Sequence, residues 1–122
     1  MKVLLGIGGS DDSLDALDRT VERAVEAGDE LTVAVLDNPE SDRSADEVID
    51  HASSVLEEAG LDADVRHLTG DPGSELVELA GREGFEQVVL GGGERSPMGK
   101  IRLGHIAEFV LLNAPVTVSL VR

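Results

Sequence analysis

Apolar positions along this chain follow two rhythms. Nearly unbroken apolar runs at 3–7 (VLLGI), 31–36 (LTVAVL), 87–92 (QVVLGG) and 116–121 (VTVSLV) have the length and composition of buried strands. A shorter segment, 62–68 (DADVRHL), alternates weakly and reads as one more strand. Between these runs the apolar residues fall at helical spacing. Leu14, Leu17, Val21, Ala24 and Val25 line one face of a helix that Ser10 or Asp11 caps and Gly28 stops. Val48, Ala52, Val55, Leu56 and Ala59 line a second, opened by a Ser44/Glu47 capping-box pair and closed at Gly60. Asp71 is placed to cap a third, with Pro72 in its first turn. A fourth, 105–114 (HIAEFVLLNA), is apolar nearly all round, which predicts that its neighbours cover it well. Asn113 and Pro115 end it.

Strands alternating with helices imply a parallel sheet covered on both faces. The expected fold is α/β: one domain over 1–122, a three-layer α/β/α sandwich with a five-stranded parallel sheet in the order 3-2-1-4-5. Sheets of this kind bind ligands beyond the carboxyl ends of their strands, where the strand order reverses. That point lies between the first and fourth strands. They run into the two glycine-rich loops, GIGGSDD and LGGGERS. Glycine there lets backbone N–H groups approach a ligand closely.

Composition narrows the functional classes. The absence of cysteine excludes disulfides and thiolate metal sites. No apolar run is long enough to span a bilayer, so a cytoplasmic protein is expected. Twenty-five acidic residues against ten basic give a net charge of −15, a surface that repels nucleic acid and anionic membranes. Lysine is scarce, with Lys2 and Lys100 alone. Abundant acids with few lysines point to adaptation to a high-salt, halophilic interior, the alternative being an ordinary solvated acidic face.

Against this background residues 90–105 (LGGGERSPMGKIRLGH) are the most basic stretch. Neither of the two commonest phosphate motifs fits. The dinucleotide fingerprint fails at Asp11, three beyond Gly8, and the P-loop pattern fails because Lys100 is followed by Ile101. The candidate ligand groups are Gly8, Gly9 and Ser10 in the first loop. In the second they are Gly91, Gly92, Gly93, Arg95, Ser96, Gly99, Lys100, Gly104 and His105. The competing reading is a structural strand-to-helix loop with Ser10 as a helix cap. His51 and His67 read as surface or edge residues. No spacing among the histidines and acids suggests a metal site, and no nucleophile elbow is present.

Taken together, VLLGIGGSDDSLDAL, GDPGSELVELAGREGFEQVVLGG and RSPMGKIRLGHIAEFVLLNAPVTVSLV resemble, in this order, the universal stress protein family over the whole chain. The resemblance implies the nucleotide-hydrolase-like fold described above. It also implies a stress-response role, binding of ATP or AMP, and a homodimer through the last strand at Val116, Val118 and Leu120; no enzymatic activity is expected, because the sequence offers no nameable base, metal-carboxylate pair or nucleophile. Members that bind ATP carry a glycine, two residues, a second glycine, nine residues, and then glycine with Ser or Thr. Here the first glycine is Gly91 and the last is Gly104, while Glu94 and His105 stand at two other positions of the pattern. Gly8 stands where the family has an Asp, which removes a carboxylate and is expected to leave space. A non-nucleotide interaction protein of the same fold and a slow ATPase are the alternatives.

Overall fold

The computed structural model describes residues 1–38, 41–91, 94–95, 101–102 and 104–121, with the backbone alone at 94–95 and 101–102. Its main sheet holds β1 (Lys2–Ile7), β2 (Glu30–Leu36), β3 (Asp64–Leu68), β4 (Gln87–Gly91) and, last in the chain, β7 (Thr117–Val121). All pairings in this sheet are parallel, in the order β3-β2-β1-β4-β7, which is the expected 3-2-1-4-5 arrangement. Four helices cover it: α1 (Asp11–Ala27), α2 (Ala45–Ala59), α3 (Pro72–Arg82) and α4 (His105–Asn113).

Alternate side chains of the central strands face opposite sides, so the sheet carries two cores. Leu5, Ile7, Val33 and Val35 pack beneath Leu17 and Val21 of α1 and Val48 and Leu56 of α2. Leu4, Ala34, Leu36, Val88 and Leu90 face the other way, beneath Leu76 and Leu79 of α3 and Ala107 and Val110 of α4. Helix starts follow local chemistry. The side chains of Ser10, Ser44 and Asp71 accept from the backbone N–H of Ser13, Glu47 and Ser74 respectively. Gly28 and Gly60 close α1 and α2 in left-handed conformation, at φ 72° and 67°. Lys2 is structural. Its Nζ donates to the Glu83 carbonyl at 2.5 Å and lies 4.7 Å from the centre of the Phe85 ring, tying the start of β1 to the turn before β4.

Four expectations need correction. Val25, placed on the apolar face of α1, is 52% exposed. Ala59 of α2 is exposed as well. Helix α4 is not covered all round. Ala107 and Val110 are buried against the sheet, but Leu112 is 77% exposed and Phe109 and Leu111 are each 39% exposed. A helix that is apolar all round gives no indication of which side the rest of the chain covers. Within the segment read as a loop, the backbone of β5 (Glu94–Arg95) pairs antiparallel with β6 (Ile101–Arg102), Glu94 opposite Arg102 and Arg95 opposite Ile101.

Candidate functional site

The carboxyl ends of β1 and β2 meet the start of α2 around a cleft of about 280 Å³. Leu36, Ala45 and Val48 form its apolar wall, and Gly8, Asp37, Asn38, Arg43 and Ser44 supply the polar part. Small-molecule sites commonly run to about 300–1,000 Å³ with a mainly apolar lining and a few polar groups, so this one suits a single ring system.

Each polar group is placed by local structure. Asp37 follows β2 directly, and its Oδ1 lies 2.7 Å from Nε2 of His67 on the neighbouring strand β3. That contact fixes one carboxylate oxygen at the cleft. Ser44 is the N-cap of α2, so its hydroxyl is committed to the Glu47 N–H. Arg43 precedes the cap. Its backbone N–H donates to Ser41 Oγ at 3.2 Å. Its guanidinium crosses to the loop after β1, where Nη1 donates to the Gly9 carbonyl at 2.5 Å and Nη2 to Asp11 Oδ1 at 3.1 Å. Gly9 holds φ +87°, so a side chain there is strained, and its Cβ would also lie 2.5 Å from Ser41 Oγ unless that hydroxyl moves.

The sequence-predicted residues distribute unevenly around this geometry. Gly8 lines the cleft, with Gly9 and Ser10 next to it. The space expected at Gly8 is taken by Asn38: a Cβ at Gly8 would meet Asn38 Cβ at 3.1 Å and Nδ2 at 3.3 Å. Gly91 ends β4 against the first turn of α1, where a Cβ would lie 2.5 Å from the Asp12 carbonyl oxygen. Gly104 is the N-cap of α4, without a side chain to bond, and His105 is its first residue. Gly92, Gly93, Ser96, Gly99 and Lys100 lie outside the described residues, and of Arg95 only the backbone is described. The sequence reading missed Arg43, Asp37 and Asn38 as cleft residues. Their one signal is position, since polar residues that follow a central strand of such a sheet border its ligand crevice.

Among the described residues no group of three His, Cys, Asp or Glu is arranged to hold a metal. No helix among them is long and apolar enough to cross a membrane.

Comparison with known proteins agrees with this architecture. A stress response protein, NhaX of Bacillus subtilis, is 29% identical over 77 residues, which is 63% of this chain and 46% of that protein. The chain therefore matches about half the length of that relative. The universal stress protein from Archaeoglobus fulgidus superimposes with a TM-score of 0.81 at 24% identity, covering 100% of this chain and 98% of the other. A universal stress protein structure from the same organism in complex with dAMP superimposes with a TM-score of 0.74 at 21% identity, covering 100% of this chain and 98% of the other. At these identities the structures establish the fold. The family model for the universal stress protein family matches residues 1–122, and the chain belongs to that family.

Proposed function

We propose that this chain is a nucleotide-binding stress-response protein that works as a homodimer, a binding module without a catalytic centre. An adenine nucleotide, AMP or ATP, places its base in the cleft beside Leu36, Ala45 and Val48. Its phosphates lie toward the basic Gly91–His105 segment, where backbone N–H groups together with Arg95, Ser96 and Lys100 receive them. The observation that carries this reading is the cleft itself, mainly apolar with a few polar groups, at the carboxyl ends of β1 and β2. The A. fulgidus relative of the same fold, bound to dAMP, supports an adenine monophosphate as the ligand class.

Self-association is supported by charge. Residues 109–121 carry no ionisable side chain in a chain of net charge −15. They comprise the end of α4 and the edge strand β7. Two copies can approach there without like-charge repulsion, and an edge strand offers unpaired backbone groups to a second edge.

The test is a thermal-shift titration with AMP and ATP in KCl, run on the wild type and on Lys100→Ala. A ligand that binds only the folded state raises the melting temperature with its concentration. A saturable rise that shrinks in the variant is the expected result. A flat response to both nucleotides overturns the reading.

A further inference from the structure

Among the described residues Arg43 is the cation that lines the cleft, and the two partners of its guanidinium there differ in kind. The Gly9 carbonyl is a backbone acceptor in a loop whose left-handed φ of +87° favours glycine, with Ser41 Oγ close to it. Asp11 is a side chain 91% exposed to solvent. An exposed ion pair contributes little and is screened by salt. The guanidinium carries five donors in a planar fork, a geometry that matches two oxygens of one phosphate. Part of Arg43 lines the cleft, while its head lies over the Gly9–Asp11 turn. The next residue of that turn, Asp12, packs against Gly91 at the start of the basic segment. On the nucleotide reading, a phosphate that leaves the cleft by way of the Gly9–Asp11 turn meets the Arg43 head.

We infer that Arg43 is a second anion-binding group of this site, and that Asp11 is its exchangeable internal partner, a carboxylate whose place a ligand phosphate takes. The inference rests on the nucleotide reading above and adds to it. Through the Gly9 bond, the guanidinium stays anchored to the first loop while its Asp11 side changes partner. The ligand class this selects is a nucleoside carrying phosphate, over the uncharged nucleoside. Asp11 thereby sets a threshold: it competes with anions for Arg43, so weakly charged ligands gain nothing at this position.

The test is calorimetric titration of AMP and adenosine into the full chain and four variants: Asp11→Asn, Asp12→Asn, Arg43→Ala and Arg43→Lys. Asp11→Asn is expected to tighten AMP binding about threefold, the scale of an exposed ion pair, and to leave adenosine unchanged. Arg43→Ala is expected to weaken AMP about tenfold with little change for adenosine, as the loss of one charge-assisted contact requires. Arg43→Lys should recover part of that loss. Equal weakening of AMP and adenosine in Arg43→Ala would mean that Arg43 only shapes the cleft, and overturns the proposal. So does Asp12→Asn matching Asp11→Asn, since the effect is then general charge. If Arg43→Ala fails to fold, the Asp11→Asn and Asp12→Asn pair still decides, because Asp11 is almost fully exposed. Binding of neither ligand to the wild type overturns this proposal together with the nucleotide reading. Binding of both, unaffected by any variant, overturns the proposal alone.

Discussion

Gly91, the last residue of β4, lies so close to Asp12 in the first turn of α1 that a Cβ on it would sit 2.5 Å from the Asp12 carbonyl oxygen and 2.6 Å from Ser13 Cα. Both neighbours are backbone, so neither can swing away as a side-chain tip can. Gly91 has no left-handed φ, so the constraint on it is space. Gly91→Ala must therefore push α1 off the sheet, and α1 carries Leu17 and Val21 of the core. Overpacking of this kind costs about 1–3 kcal/mol. With backbone on both sides, a loss near the top of that range is expected in urea unfolding. A loss below about 0.5 kcal/mol, the scale of a neutral surface change, would mean that the α1 contact yields.

The carboxylate of Glu83 pairs with the Arg66 guanidinium, which holds its pKa below the usual carboxylate range by hydrogen bonding first and charge second. Asp71 is held low by its hydrogen bonds to Ser74, where it caps α3. Both folded-state values lie below the unfolded ones. Their stabilisation is thus complete above the unfolded carboxylate range, near pH 4, and is lost as pH falls through the lowered folded values. Glu83→Gln and Asp71→Asn should each flatten the acid limb of the stability–pH curve, with little change in its slope at neutral pH. Chemical denaturation between about pH 3 and pH 7 reads this directly. An acid limb as steep as that of the wild type in both variants would assign the acid sensitivity to other carboxylates.

What could be read from the sequence follows the range of the interactions involved. Ser10, Ser44 and Asp71 cap helices by bonding three residues ahead, so each cap is written locally. The parallel sheet follows from short apolar runs separated by helical ones, because a parallel sheet covered on both faces accommodates that alternation. Arg43 was not legible. It sits in a polar break, and its partners Gly9 and Asp11 are 34 and 32 residues earlier in the chain. Asn38 at Gly8 has the same character, a contact between two loops that no periodicity encodes. Gly91 shows a third case. A glycine beside a ligand and a glycine beside another backbone are identical in sequence, and the distance to Asp12 reveals the packing role.

The edge strand β7 leads to a prediction about assembly. Val118 and Leu120 are partly buried against the core beneath α3 and α4, so a charge at either damages the fold as well as any edge contact. Thr117 is exposed on the same strand, and its substitution separates the two effects. In a two-fold pairing of edges, Thr117→Asp places like charges near each other. The wild type should elute with the mass of a dimer in light scattering, and Thr117→Asp with that of a monomer, its melting temperature falling only as loss of the partner requires. A wild type that stays monomeric across the accessible concentration range would remove the dimer and leave Leu112 and β7 as uncovered apolar surface.

Salt should matter more to this protein than to most of its size. On α1, Asp11, Asp15, Asp18, Glu22 and Glu26 are all exposed and recur at helical spacing, so one face of the helix is a stripe of like charge. Like charges at i and i+4 destabilise a helix, and Arg19 and Arg23 offset only part of it. Exposed helix α2 residues Asp46, Glu47, Asp50, Glu57 and Glu58 add to the same field. At an ionic strength of about 0.1 M the screening length is about 10 Å, and at 1 M about 3 Å, shorter than the spacing along the stripe. Raising KCl from about 0.1 M to 2 M should therefore raise the melting temperature by about 5 °C or more, equivalent to about 1–2 kcal/mol for a chain of this length. Glu22→Gln should raise it at low salt and lose that advantage at high salt, because the repulsion it relieves is already screened there. A melting temperature that is flat or falls with KCl would show that the acidic surface serves solubility alone and is not an adaptation to salt.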